Sequence, residues 1–263
     1  MFKVTFDDGT TVKVDSSYTL GYIADADLFK HVKDTLDRLT HKVDLKSFEK
    51  NVIDPIKLTI EAHAYGKSEK EVIEQEIARQ LGKTLENAVG DFHQNIFNYI
   101  NGWSVPDDGV DIINDAGTVF CEMKNKYNTM NSGSADKVFD KLHGIVIANP
   151  KATAYLVLVI AKKSCDEPWL VAGRTLPPNK ANRLRKISID RFYALATGDE
   201  KAFAKLCQVL GKVVDDVLKV CPSSKFTNTV LKEITARDPE LLRGLFMASF
   251  ATYNGFEDFH VIK

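Results

Sequence analysis

The sequence predicts a mixed α/β fold: a small mixed β-sheet flanked by helices, with largely helical N- and C-terminal parts. Three observations predict it. Between about residues 84 and 161 the apolar pattern runs helix, hairpin, helix, strand, an order that packs helices against a small sheet. The segment 154–161 is apolar at nearly every position, as in a strand buried on both faces. Both flanks carry helical periodicity. At 263 residues, 44% hydrophobic and 27% charged, the chain is long enough to bury a sizeable core.

The first element is a hairpin. Residues 2–6 and 10–14 alternate around Asp8-Gly9, a dipeptide that favours a two-residue type I′ turn. The hairpin is expected to form an extension, residues 1–17, ahead of a single domain at 18–263 whose catalytic core covers about 84–163. Residues 25–65 read as helices and loops, with Leu28, Val32, Leu36 and Leu39 at helical spacing. Ser68 and Glu71 form a capping box ahead of the stripe Val72, Ile73, Ile77 and Leu81, and Gly82 is placed to close that helix. A second helix is expected over 84–100, from Leu85, Val89, Phe92, Ile96 and Tyr99.

Gly102, Pro106 and Gly109 then break the pattern. Residues 111–113 and 118–124 read as strands joined by a turn at Asn114-Asp115-Ala116-Gly117. A helix capped by Ser134 runs to 148, burying Val138, Phe139, Leu142, Ile145 and Val146. After the strand 154–161 comes a loop with Pro177-Pro178. Helices are expected over 200–218 and 228–236, then one capped by Asp238 with Pro239 at its first position.

Charge and cysteine usage narrow the classes. Lys+Arg 35 against Asp+Glu 36 leaves a net charge of -1, which excludes a strongly basic coat protein. The four cysteines show no C-x-x-C, so free thiols in a reducing cytoplasm are expected. The N-terminus has no basic and apolar signal pattern, and 154–161 is far short of the roughly 20 residues that span a bilayer. A cytoplasmic protein with no membrane partner is the expectation.

Several motifs fail. Gly66-Lys67-Ser68 and Gly82-Lys83-Thr84 look like ends of phosphate-binding loops, but the leading glycine is replaced by Glu61 and Ile77. The six histidines have no metal-ligand spacing, and no nucleophile-elbow or zinc-protease motif occurs.

One segment survives, residues 109–124. Glu122 and Lys124 share a strand face, and a turn near 115–117 sets Asp111 opposite about residue 121. Two carboxylates, Asp111 and Glu122, with a backbone carbonyl such as that of Cys121, make a hard oxygen site suited to Mg²⁺. Lys124 beside them can orient an attacking water for phosphodiester hydrolysis. Of the three (D/E)-x-K triplets, Asp44-Leu-Lys46 lies in a polar connection and Asp199-Glu-Lys201 at a helix start; only Glu122-Met-Lys124 stands in a strand behind an upstream Asp. The same spacing also fits a solvated Glu–Lys pair.

The loop that follows is crowded with groups able to reach bases or phosphates: Asn125, Lys126, Asn128, Thr129, Asn131, Ser132 and Ser134. A polar connection to the next helix is the alternative. Residues 162–191 hold eight basic side chains (Lys162, Lys163, Arg174, Lys180, Arg183, Arg185, Lys186, Arg191) against three acidic ones, a stretch able to hold DNA phosphates or simply a solvated surface.

Asp111, Glu122 and Lys124 match the PD-(D/E)-x-K nuclease core, with Val110 at the nominal proline. More narrowly, residues 90–97 (Gly-Asp-Phe-His-Gln-Asn-Ile-Phe), 102–106 (Gly-Trp-Ser-Val-Pro) and 122–132 resemble the type II restriction endonucleases that cut GGNCC-type sites. Residues 18–58, with Ile53-Asp54-Pro55-Ile56-Lys57, and 187–203, with Thr197-Gly198, continue the resemblance, which covers about residue 18 to the C-terminus. Gly133 departs from it, standing where a serine is expected, and the hairpin lies outside it.

The resemblance implies a restriction-endonuclease-like core and a homodimer on a short palindrome of double-stranded DNA. It also implies Mg²⁺-dependent double-strand cleavage and a cognate DNA methyltransferase. Asp111 and Glu122 would hold the metal and Lys124 position the water. His93 and Gln94, on the helix before the hairpin, are further candidates for the site, or else a buried pair tying helix to sheet. Glu86 is a further carboxylate, or an exposed first-turn Glu. Two other readings stay open: a repair or structure-specific nuclease sharing the core, and a catalytically silent DNA-binding protein.

Overall fold

A computed structural model describes residues 1–39, 42–170, 182–221 and 226–250. In chain order a hairpin, β1 (Phe2–Thr5) and β2 (Thr11–Val14), leads to helix α1 (Asp25–Asp37). A two-residue β3 (Lys42–Val43) is followed by α2 (Leu45–Glu49), α3 (Pro55–Tyr65) and the 27-residue α4 (Glu69–Asn95), whose end tightens into a 3₁₀ turn, Ile96–Tyr99. Then come β4 (Trp103–Ser104), β5 (Ile112–Asn114), β6 (Val119–Lys126), α5 (Ser132–Ala148), β7 (Thr153–Ile160), β8 (Asp166–Pro168) and β9 (Leu184–Ser188). Helices α6 (Ile189–Thr197) and α7 (Ala202–Val220), a short β10 (Thr227–Asn228), α8 (Val230–Arg237) and α9 (Leu241–Phe250) complete it. The expected Pro177-Pro178 loop lies outside the described residues.

The chain divides into two compact units, Met1–Leu36 with Val89–Pro222, and Asp37–Ala88 with Ser223–Lys263. The first holds a six-stranded mixed sheet in the order β4-β5-β6-β7-β9-β8. β6, β7 and β9 are parallel and central; β4, β5 and β8 add antiparallel edges. β7 lies between two parallel partners, which is why its whole middle, Ala154 to Leu158, is apolar and buried. On one face, Ala154, Leu156 and Leu158 join Phe139, Leu142 and Val146 of α5 in one cluster. On the other, Cys121, Met123, Tyr155, Val157 and Ile187 share a core with α1, the end of α4, α6 and α7. The sandwich of helix, small mixed sheet and helix is the predicted one.

The N-terminal hairpin contributes Val4 and Val14 to that second core, and the Phe2 ring packs edge-on against Tyr18 and Phe29. Its turn differs from the expected two-residue type. The register pairs Thr5 with Thr11 and the Phe6 N–H donates to the Thr10 carbonyl at 2.9 Å, leaving Asp7, Asp8 and Gly9 as a three-residue loop. A type I′ turn needs positive φ at two successive residues; here only Gly9 takes it, at 83°, while the Asp8 carboxylate accepts the Thr10 N–H at 2.8 Å.

The second unit is built from β3 paired with β10, helices α2 and α3, the first part of α4, and α8 and α9; Phe48, Leu58, Val72, Ile73, Ile77, Val230 and Leu245 form its core. The capping box forms as expected, with the Ser68 N–H donating to Glu71 at 2.8 Å and the Glu71 N–H to Ser68 Oγ at 3.3 Å. The expected stop at Gly82 does not occur. Gly82 keeps a helical backbone, so the two anticipated helices are one, and Leu85, expected on the buried stripe, is 47% exposed. Two caps also shift. Asn131, not Ser134, caps α5, because its side chain accepts the Ser134 N–H at 2.9 Å. The last helix begins at Leu241, two residues beyond Pro239, since Asp238 turns back to accept the Glu240 N–H. Among the described residues no helix is long and apolar enough to cross a membrane.

Candidate active site

The chain reverses direction before β5 at Gly109, whose φ of 93° is open to glycine and strained for other residues. Asp111 follows directly. Its N–H donates to the Cys121 carbonyl at 2.9 Å, and Ile112 pairs with Cys121, the opposition that the turn chemistry predicts. The Asn114-to-Gly117 turn that fixes this register closes with the Gly117 N–H on the Asn114 carbonyl at 2.9 Å. The Asp111 carboxylate then reaches across the strand pair and accepts the Met123 N–H at 2.7 Å. It is thereby fixed against the backbone of the residue between Glu122 and Lys124.

Glu122 and Lys124 project from β6 toward the α5 side of the sheet. Glu122 is only 5% exposed, and Lys124 Nζ lies 3.6 Å from its Oε2. The other carboxylate oxygen contacts Nζ of Lys141 on α5. Lys141 is a residue that motif reading misses. Its one sequence signal is its place on a helix row between the apolar Val138 and Ile145, at the edge of the buried stripe.

The backbone also refines the expected carbonyl. Cys121's is already engaged in the ladder with Asp111, whereas Met123's, pointing to the same strand edge beside the Asp111 carboxylate, is met by Lys124 Nζ at 3.0 Å. The Cys121 thiol faces the opposite core, and burial, reinforced by the charges of Asp111 and Glu122, pushes its pKa well above the ordinary range.

Two carboxylates and a backbone carbonyl are hard oxygen donors, the set that suits Mg²⁺. Among the described residues no group of three or more His, Cys, Asp or Glu side chains converges on one point, so a cation here would complete its shell with carbonyl and water oxygens. That is ordinary for Mg²⁺, which keeps several waters.

The neighbouring helix braces this strand pair. Gln94 donates from Nε2 to the Asp111 carbonyl at 3.3 Å, tying α4 to the start of β5. His31 contacts the Phe92 carbonyl at 2.9 Å and stacks on the Phe92 ring, fixing the end of α4 to α1. His93 makes no such tie: its Nδ1 is buried without a hydrogen bond among the described residues, and burial lowers its pKa to about 4. Glu86 is exposed, deep within α4 rather than in a first turn. The two other (D/E)-x-K triplets are spent locally: Asp44 caps α2 by accepting the Ser47 N–H, and Asp199 accepts the Lys201 N–H in the turn ahead of α7 and pairs with Lys205.

The candidate DNA contacts divide. Lys126, Asn128, Thr129, Asn131 and Ser132 are exposed; Asn125 and Ser134 are half-buried. Part of the loop serves its own shape, with Thr129 Oγ1 on the Lys126 carbonyl at 2.8 Å and Ser134 Oγ on that of Asn131 at 3.0 Å. Lys162 and Lys163 are exposed, Lys162 lying 5.2 Å over the Tyr127 ring. Arg183 and Arg185 are turned inward. Arg183 donates to the Asn149 and Ala152 carbonyls, both at 3.0 Å, and Arg185 clasps Asp166 at 2.6 Å. Arg174 and Lys180 lie outside the described residues.

Residues 20–219 match the family described as Eco47II restriction endonuclease. The type II restriction enzyme Sau96I of Staphylococcus aureus is 30% identical over 218 residues, covering 78% of this chain and 84% of that protein. The type II restriction enzyme Eco47II of Escherichia coli is 34% identical over 215 residues, covering 76% and 88%. The matched span contains Asp111, Glu122 and Lys124.

Proposed function

Because the chain belongs to the Eco47II restriction endonuclease family, and is therefore a type II site-specific deoxyribonuclease, we propose that it cuts both strands of a short GGNCC-like palindrome with Mg²⁺. The observation that carries the metal-site reading is the Asp111 carboxylate held 2.7 Å from the Met123 N–H, beside Glu122 and Lys124. Asp111, Glu122 and the Met123 carbonyl would hold the ion. When bound, Mg²⁺ supplies Lewis-acid neutralisation of charge developing on the phosphate. Lys124 holds and orients the attacking water through its ammonium, and Gln94 keeps Asp111 in register through its carbonyl. His93 stays neutral near pH 7, since burial disfavours its charged form.

The exposed end of β6 and the loop after it, Lys126 to Ser132, is the proposed reader of bases, with Lys162 and Lys163 on phosphates. Arg183 and Arg185 act as struts of the sheet. A palindrome presents the same half-site twice, so the active species is a two-fold homodimer. A cognate methyltransferase protecting the same site completes the system.

Plasmid digestion tests the reading. With Mg²⁺ the protein yields discrete fragments whose sequenced ends share one GGNCC-like site, and Glu122→Ala or Lys124→Ala slows cleavage by about 10²–10⁴-fold. Random nicking would instead assign a repair or structure-specific nuclease. Full activity in Glu122→Ala would remove the site assignment.

A further inference from the structure

Four charges, two of each sign, lie along β6: Glu122 with the ammonium groups of Lys124 and Lys141, and the Asp111 carboxylate on the Met123 N–H of the same strand. Each oxygen of Glu122 has its own lysine, Oε1 with Lys141 and Oε2 with Lys124. A carboxylate this deeply buried needs such compensation, because desolvation alone would penalise its charge. The four charges sum to zero, however, and a divalent cation entering among them would leave a local excess of two positive charges unless an ammonium group moves away.

The two lysines differ in how firmly they are held. Lys124 rises from the strand itself and is bound a second time, by the Met123 carbonyl at 3.0 Å; its side chain is 30% exposed. Lys141 comes from α5 on a flexible four-carbon stem, and its side chain is 40% exposed. We propose that Lys141 is a positioning residue that occupies Glu122 in place of a divalent cation and releases the carboxylate when the cation enters. The proposal rests on the reading that Asp111 and Glu122 hold the metal. Lys141 holds the buried carboxylate aimed while the site is free of metal, and it competes with the ion it prepares for.

A competitor, unlike a structural strut, weakens metal binding, so its removal should strengthen it. Mn²⁺ binding to the DNA-free full-length protein, followed by titration calorimetry and electron paramagnetic resonance, measures this directly. Lys141→Met keeps the apolar stem and removes the charge, and should bind Mn²⁺ roughly tenfold more tightly than the wild type. Lys141→Gln should do the same, which guards against a folding defect in either variant. Lys141→Arg keeps the charge and should stay near the wild type, whereas Glu122→Gln should bind more weakly. The Mn²⁺ concentration giving half-maximal cleavage should fall in Lys141→Met. Wild-type binding with unchanged or weaker affinity in both neutral variants overturns the role of Lys141 and leaves the metal site standing. A wild type that takes up no Mn²⁺ removes the metal reading and this proposal together.

Discussion

His93 precedes Gln94 on α4, yet the two side chains meet opposite fates. The Gln94 amide is spent on the Asp111 carbonyl, while the imidazole is half-buried, with its Nδ1 shut off from solvent and unpaired among the described residues. Burial lowers the His93 pKa from an ordinary 6.5 to about 4, so the folded state holds it neutral. The unfolded chain takes up the proton first. Stability is therefore complete above about pH 6.5 and falls as pH drops from there toward 4, by about 3 kcal/mol for a shift of this size. His93→Phe cannot titrate and should lose that much less stability between pH 7.5 and 4.5 in urea unfolding. Equal losses in the two proteins would show that the imidazole is already charged or solvated in the fold. At this scale the strand pairing that carries the candidate site is legible in the sequence. Strand period and turn chemistry are local, and they set Asp111 against Cys121 within one residue. Lys141 was not legible, since only the packing of α5 on the sheet brings residues 122 and 141 together. The inward turn of Arg183 onto Asn149 and Ala152 was hidden for the same reason: a basic residue reads as a phosphate ligand until its tertiary partners are known.

The element that departs most from its local signals is α4. Gly82 ends an apolar stripe and precedes Lys-Thr, which reads as a C-cap, but a cap of that kind requires the left-handed backbone. Gly82 instead sits exposed inside the helix, and a Cβ built there meets nothing within 4 Å. Gly82→Ala should accordingly stabilise the protein by about 1 kcal/mol, the difference in helix propensity between the two residues. Urea denaturation decides it: a destabilised variant would mean that the helix does end at Gly82. The strands divide along similar lines. β6 and β7 announce themselves through alternation and a continuous apolar run. β8, Asp-Glu-Pro, and β9, Leu-Arg-Lys-Ile-Ser, carry too many polar residues to read as strands; pairing at the far side of β7 makes them so. One of the three points where the chain passes between the two units falls between Ala88 and Val89, inside α4, where no Pro- or Gly-rich linker marks it.

For the whole molecule, a net charge of -1 leaves little overall attraction to DNA, so binding must come from local groups. The basic stretch 162–191 looks sufficient in sequence, but the fold consumes much of it. Arg183 and Arg185 are committed as above, Lys186 pairs with Glu167 at 2.8 Å, and Arg191 pairs with Glu200. Lys162 and Lys163 are exposed cations of that stretch outside these pairs, Lys162 steadied by the Tyr127 ring, and Arg191 is exposed beside Glu200. Each phosphate contact contributes about 0.9 to the slope of log affinity against log salt. Binding to non-cognate duplex, followed by fluorescence anisotropy in Ca²⁺ to suppress cleavage, should therefore show a shallow slope, and Lys162→Ala should reduce it by about 1. Arg183→Ala should leave the slope unchanged and lower the unfolding midpoint instead, because it frees the Asn149 and Ala152 carbonyls that anchor the entry to β7. If Arg183→Ala flattens the slope as Lys162→Ala does, the guanidinium reaches DNA by leaving those carbonyls, and the near-neutral molecule recruits its structural arginines on binding.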